Sequence, residues 1–282
     1  MPTFATPEPI TIAVDVAVGT VNVVASDRTD TVVTVRPSDP GKSGDVKVAD
    51  EARVDLHDGT LTVQTAKSWR SFAPFGGGSV DVTIELPTGS ALEGKTVGPL
   101  FTQGRLGPCT FTSRAGDIRI DEVGRLELRA SAGSVVVGHA LDSAEIVATA
   151  GGVRIRELDG NAVIKVPNGA TEIGQSAGSL RVNGAHGAIT IERSLGETDV
   201  RCAHGSIRVE QATSGRVQLE TSYGAIEVGV PAGTAAWLDA ASQHGTVRNL
   251  LQDATGPDEN DRTVEVRANT SFGDVVVRRP HT

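Results

Sequence analysis

Aromatic side chains are scarce in this chain: six Phe, two Trp and one Tyr make up 3% of its 282 residues. A core built largely without them comes from Val, Ile, Leu and Ala, which suits a narrow interior with small slots. Val and Ile fit pleated, half-buried strands, and little in the sequence favours long helices. Cysteine is scarcer still. Cys109 and Cys202 are too few for the disulfide framework of a small secreted protein. No apolar run approaches the ~18 residues of a membrane-spanning helix, so no direct membrane insertion is expected. The opening Met1-Pro-Thr-Phe-Ala-Thr-Pro-Glu8 lacks the basic start and apolar stretch of a signal peptide, and the expectation is a cytoplasmic protein.

Positive charge is also in deficit. The net charge is −9, which argues against a nucleic-acid partner, because such binding draws its affinity from Lys and Arg on phosphates. The nucleophile elbow, the paired-Cys zinc pattern and the His-Glu-x-x-His zinc pattern are all missing. Gly41-Lys-Ser43 has the end of a phosphate-binding loop, but Arg36 stands where the upstream glycine is required. No catalytic residue, metal or cofactor is expected.

What the chain has in abundance is glycine, 33 residues of it, and from Gly89 to Gly233 a glycine or its stand-in returns about every nine residues. The beat runs through Gly98, Gly107, Gly116, Gly124, Gly133, Asp142, Gly151, Gly160, Gly169, Gly178, Gly187, Gly196, Gly205, Gly215 and Gly224. The second and fourth residues after most anchors are apolar, as in Val153 and Ile155 or Ile189 and Ile191. The residue between them is often charged, as in Arg119, Glu127, Arg154 and Arg208. A period of two gives short strands with one face inward, and glycine permits the tight backbone of a corner. Alternate units differ: Ser131-Ala-Gly, Thr149-Ala-Gly, Ala203-His-Gly and Ser222-Tyr-Gly head one series at a spacing near 18. The fold expected is all-β, a parallel β-solenoid with about 18 residues and two strands per turn. A six-residue left-handed β-helix and a calcium β-roll do not fit that beat.

Residues 1–87 lack the beat and read as an antiparallel β segment capping the stack. Asp58-Gly59 marks a hairpin, residues 37–45 a polar loop, and Val80–Leu86 an alternating strand. Residues 88–250 are the solenoid repeats. Residues 251–282 form an acidic loop and strands expected to close the far end. The whole reads as one continuous domain.

Four groups of residues are candidates for chemistry. His186 and His204 lie 18 apart, each just before an anchor glycine, with Tyr223, His244 and Phe272 in the equivalent place. They would stack in one column, either as a ligand, metal or pH-sensing ladder or as a surface row of planar side chains. Trp69, Arg70, Phe72 and Phe75 share one loop and are the candidate interaction loop, since aromatics and Arg dominate interface energetics. The same loop could fold back over the solenoid end. Cys202 follows the inward alternation of Thr198 and Val200 and reads as a buried small hydrophobe. Cys109 is 93 residues away, about five turns and out of disulfide reach. Trp237, in step with Ala235, is expected in the core.

Thr6-Pro-Glu-Pro-Ile10, Ile84-Glu-Leu-Pro-Thr-Gly89, Gly104-Arg-Leu-Gly107, the Ser-Ala-Gly-Ser corners, Thr234-Ala-Ala-Trp-Leu-Asp239 and Thr263-Val-Glu-Val-Arg267 carry a resemblance. The chain resembles a bacterial, actinobacterial-type family of β-strand-repeat proteins of unknown function catalogued as "putative adhesins", over nearly its whole length. The resemblance implies a β-helix-like fold and a context in envelope stress, and it transfers no catalytic residue. The expected role is a non-enzymatic scaffold or protein-interaction module with a protein partner of unknown identity. The alternatives are a small-ligand or metal binder using the His186/His204 column, and self-assembly into a homo-oligomer through the solenoid ends.

Overall fold

Short strands with one apolar face must bury that face against something, and strands that recur at a fixed interval can bury it against one another. A computed structural model of the protein describes residues 2–65, 78–251 and 262–280. Among these residues the protein is all-β apart from one helix, and its strands are mostly parallel. The chain divides into two compact units, residues 1–141 and 142–282.

In the C-terminal unit each turn of the chain contributes one strand to each of two sheets. Ala144–Ala150, Ala162–Asn168, Leu180–His186, Thr198–His204 and Gly215–Tyr223 pair in that order, all parallel. So do Val153–Leu158, Thr171–Ser176, Ile189–Ser194, Ile207–Ala212 and Ile226–Gly229. Register partners fall 18 residues apart, as in Val153↔Thr171↔Ile189↔Ile207, stretching to 19 at Ile207↔Ile226. The turn of about 18 residues and two strands is therefore the repeat of the fold. Inward positions line up into continuous rows. Ile146, Ile164, Val182, Val200 and Leu219 form one, and Ile155, Ile173, Ile191, Val209, Val228 and Val277 the other; each is at most 1% exposed. Each such side chain contributes about 1.5–3 kcal/mol by leaving water.

The last two turns depart from chain order. Arg262–Phe272 pairs with Gly215–Tyr223 on one side and Thr234–His244 on the other. Val275–Arg278 likewise lies between Ile226–Gly229 and Val247–Asn249. The C-terminal strands do not close the stack as the sequence suggested. They slip beneath the preceding turn, which becomes the outermost. Arg279 fixes this insertion by donating from its guanidinium to the carbonyls of Val230, Pro231 and Thr234.

In the N-terminal unit the repeat is shorter, with Cys109 pairing 17 residues away from both Leu92 and Leu126. Among its described residues the core holds an aromatic residue that composition did not lead us to expect there. Phe111 is 1% exposed and lies beside Gly94, its register partner, where the lack of a side chain leaves room for the ring. Antiparallel strands are present as expected: Thr3–Ala5 on Asp30–Pro37, Asp30–Pro37 on Val80–Pro87, and Arg53–His57 on Thr60–Gln64 around Asp58-Gly59. Thr11–Val16 and Gly19–Ser26 behave differently. They pair in parallel with Ala91–Thr96 and Leu100–Gln103, so they form a solenoid turn of their own with Gly19 at its corner.

The polar stretch expected as a loop over 37–45 runs into a helix, Ser43–Asp50. Asp45, buried in its first turn, accepts the backbone N–H groups of Asp39 and Ser79, each at 3.0 Å. A short, weakly amphipathic segment containing Gly44 gives no helical period to read.

Candidate functional site

Each turn in the first sheet of the C-terminal unit ends on a residue followed by glycine. At Gly187, φ is +132°, and a Cβ would lie 2.3 Å from the carbonyl oxygen of Gly169. Only glycine fits, because the next backbone occupies the space of a side chain. The Gly187 N–H donates to the His204 carbonyl at 3.1 Å, and Gly205, Gly224 and Gly273 donate to Tyr223, Phe272 and His244. These bonds fix the residue ahead of each glycine in register: Asn168↔His186↔His204↔Tyr223↔Phe272↔His244.

The rings at those positions form one continuous stack. His186 and His204 are 5.0 Å apart between centroids, His204 and Tyr223 5.0 Å, Tyr223 and Phe272 4.8 Å, and Phe272 and His244 4.5 Å, with planes within 18° of parallel. The structure thus brings together His186, His204, Tyr223 and His244, the residues singled out by their spacing. Phe272 sits between Tyr223 and His244 because its strand is inserted there, a position that chain order hides. All five rings are exposed, Tyr223 at 51% and Phe272 at 44%. Their faces are spent on one another, so the column presents ring edges to solvent.

That geometry limits its chemistry. Imidazole nitrogens bind a metal in the plane of the ring, and nearly parallel planes stacked 5.0 Å apart do not converge on one ion. Among the described residues no group of three or more His, Cys, Asp or Glu is arranged to hold a metal. The edges instead offer a rigid row of hydrogen-bonding and apolar groups. Aromatic anchors of this kind cost little conformational entropy when a partner docks on them.

Behind the column, Cys202 points inward, with Sγ 3.6 Å from the Gly187 carbonyl oxygen, and burial pushes its thiol up. Cys109, buried in the N-terminal unit, is pushed up to about 12. Both stay protonated at neutral pH and are poor nucleophiles.

Trp69, Arg70, Phe72 and Phe75 lie outside the described residues. Trp237 is not in the core: it is 56% exposed, with the Arg267 guanidinium 5.6 Å from its ring centroid. It is indeed in step with Ala235, but the inward set of that strand is Ala236, Leu238 and Ala240, opposite the buried Val264, Val266 and Ala268. A surface hollow of about 190 Å³ is lined by Ser179, Arg181, Glu197, Thr198, Asp199 and Arg216. Its arginines are paired with Asp199 and Glu265, at 3.5 and 3.0 Å, so it carries no surplus charge for an anion. No helix among the described residues is long and apolar enough to cross a membrane.

The family model described as Toastrack DUF4097 matches residues 10–278 of the chain. No curated protein matches it in sequence. Among solved structures, a "putative adhesin" from Bacteroides fragilis NCTC 9343 is 14% identical, with 98% of this chain and 95% of that chain covered and a TM-score of 0.41. A "putative adhesin" from Parabacteroides merdae ATCC 43184 is 13% identical over 98% and 94%, with a TM-score of 0.38. A "putative cell adhesion protein" from Clostridium sporogenes ATCC 15579 is 10% identical over 99% and 98%, with a TM-score of 0.26. At these values the likenesses carry no functional inference.

Proposed function

This chain belongs to the toastrack DUF4097 family, and from that premise we propose that it is a non-enzymatic interaction module whose solenoid holds the ring column rigid for a protein partner. The observation that carries the reading is the exposed stack from His186 to His244 with Tyr223 and Phe272 at its centre. An aromatic ridge is costly to leave in water unless something uses it. The backbone bonds at each corner hold this one in place before any partner arrives. Exposed aromatic residues set in a rigid frame are what interface hot spots are made of. The perturbed thiols are buried, and the exposed rings spend their faces on one another, so the reading is binding rather than turnover.

The test compares proteins co-purifying with wild type and with a Tyr223→Ser, Phe272→Ser double variant of unchanged circular dichroism. A partner retained by the wild type and lost by the variant supports the reading. Identical partner sets would remove the column from consideration.

A further inference from the structure

The outermost turn of the C-terminal unit, Thr234–His244 and Val247–Asn249, is a different kind of surface. Each of its strands is the last in its sheet, and the outer edge of each has no strand partner among the described residues. The inward row that the turns beneath cover is open here: Leu238 and Ala240 are only half-buried, whereas Val266 and Ala268 directly beneath are at most 1% exposed. Trp237, Val247 and Leu250, at 56%, 45% and 61% exposure, all lie on or beside this turn.

Charge follows the same division. Residues 262–278, one turn in, carry five charged side chains: Arg262, Glu265, Arg267, Asp274 and Arg278. Residues 234–250, of equal length, carry two, Asp239 and Arg248. Exposed edges are ordinarily protected by charge, shortness or proline. In the C-terminal unit the three-residue Val247–Asn249 follows that rule and the eleven-residue Thr234–His244 does not, whereas the N-terminal unit follows it on both edges. Its edge strands are the three-residue Thr3–Ala5 and the Arg53–His57 strand, where Arg53, Asp55 and His57 alternate with half-buried Val54 and Leu56.

We propose that the turn 234–250 is a self-association surface, and that two copies of this chain join through it as a two-fold dimer. The occupant is argued from the fold. Elsewhere in the C-terminal unit a turn is covered by another turn of the same protein, which offers strand hydrogen bonds and a matching row of Val, Leu and Ala. A second copy's end turn supplies both. Joining this edge to the N-terminal edge of another copy would bring it against Arg53, Asp55 and His57, which disfavours a head-to-tail filament. What remains is the like-to-like contact, a closed two-fold assembly. The proposal does not depend on what the ring column binds.

The experiment is light scattering with size-exclusion chromatography on the full chain over about 1–300 μM, where a concentration-dependent dimer is read directly. The wild type should reach twice the mass of one chain and stop there. Leu238→Lys, an inward-pointing charge on the edge, should hold the chain monomeric at the concentrations where the wild type is dimeric. Leu56→Lys, the same change on the guarded edge, should leave the dimer intact. Hydrogen exchange supplies a readout free of mutation: amides of Thr234–His244 should slow as concentration rises. A monomer throughout, assemblies growing beyond two chains, exchange indifferent to concentration, or an extended peptide that adds to this edge while the chain stays monomeric would each overturn the proposal.

Discussion

At the scale of single residues, the corner glycines decide whether turns can stack at all. Gly187 has both a positive φ and a backbone carbonyl where its Cβ would be. Gly187→Ala should therefore cost at least about 2 kcal/mol, since strain and displacement of the Gly169 backbone act together. The check is a urea titration against wild type; a loss below about 0.5 kcal/mol would mean that the turns are not in the contact described. A core counterpart is Ile164→Ala, in the middle of the inward row and fully buried. It should lose about 2–5 kcal/mol while leaving the ring column in place.

At the scale of elements, the order of the last strands is the distinctive feature. Gln218, Arg267 and Asp239 are register partners on three successive strands, with Arg267 in the middle. Adjacent parallel strands lie about 4.8 Å apart, within disulfide reach, and strands two apart do not. Oxidation should thus cross-link a Gln218→Cys, Arg267→Cys pair and fail with Gln218→Cys, Asp239→Cys. The opposite outcome on non-reducing gels would restore chain order. This arrangement also marks where the sequence stops being legible. The turn length could be read because glycine and Val/Ile alternation repeat it many times. The same spacing placed His186, His204 and Tyr223 in one column. The interleaving of 262–278 beneath 234–250 could not be read, because both segments carry the same alternation and neither states which neighbour it prefers. Trp237 illustrates the cost: its parity with Ala235 was right, but which parity faces inward depends on the partner strand. Gly19 was hidden differently, since a lone corner without a repeated spacing does not stand out from the antiparallel segment expected over residues 1–87.

At the scale of the whole molecule, pH acts through many small contributions. Asp117 is held below the usual 3.8 by the Ser134 N–H at 2.9 Å, and Asp274 by the Thr246 N–H at 2.9 Å. Glu265 is held below 4.5, first by the Arg216 guanidinium and then by Arg267. Folded pKa values below the unfolded ones mean that the folded state binds fewer protons. The stability they confer is present above the ordinary carboxylate range and is lost as pH falls through the lowered folded values. The thermal midpoint should be flat near neutrality and fall below about pH 4. Combining Asp117→Asn with Asp274→Asn should shallow that fall, and a midpoint that rises on acidification would contradict the assignment.

The ring column as a docking surface can be tested by placing a photo-reactive amino acid at Tyr223, at the centre of the stack, and separately at Glu172, on the outward face of the other sheet, then irradiating in cells. The expected result is a discrete cross-linked protein from position 223 and none from position 172. Adducts that are equal at both positions, or confined to 172, would contradict the column as the surface this solenoid presents.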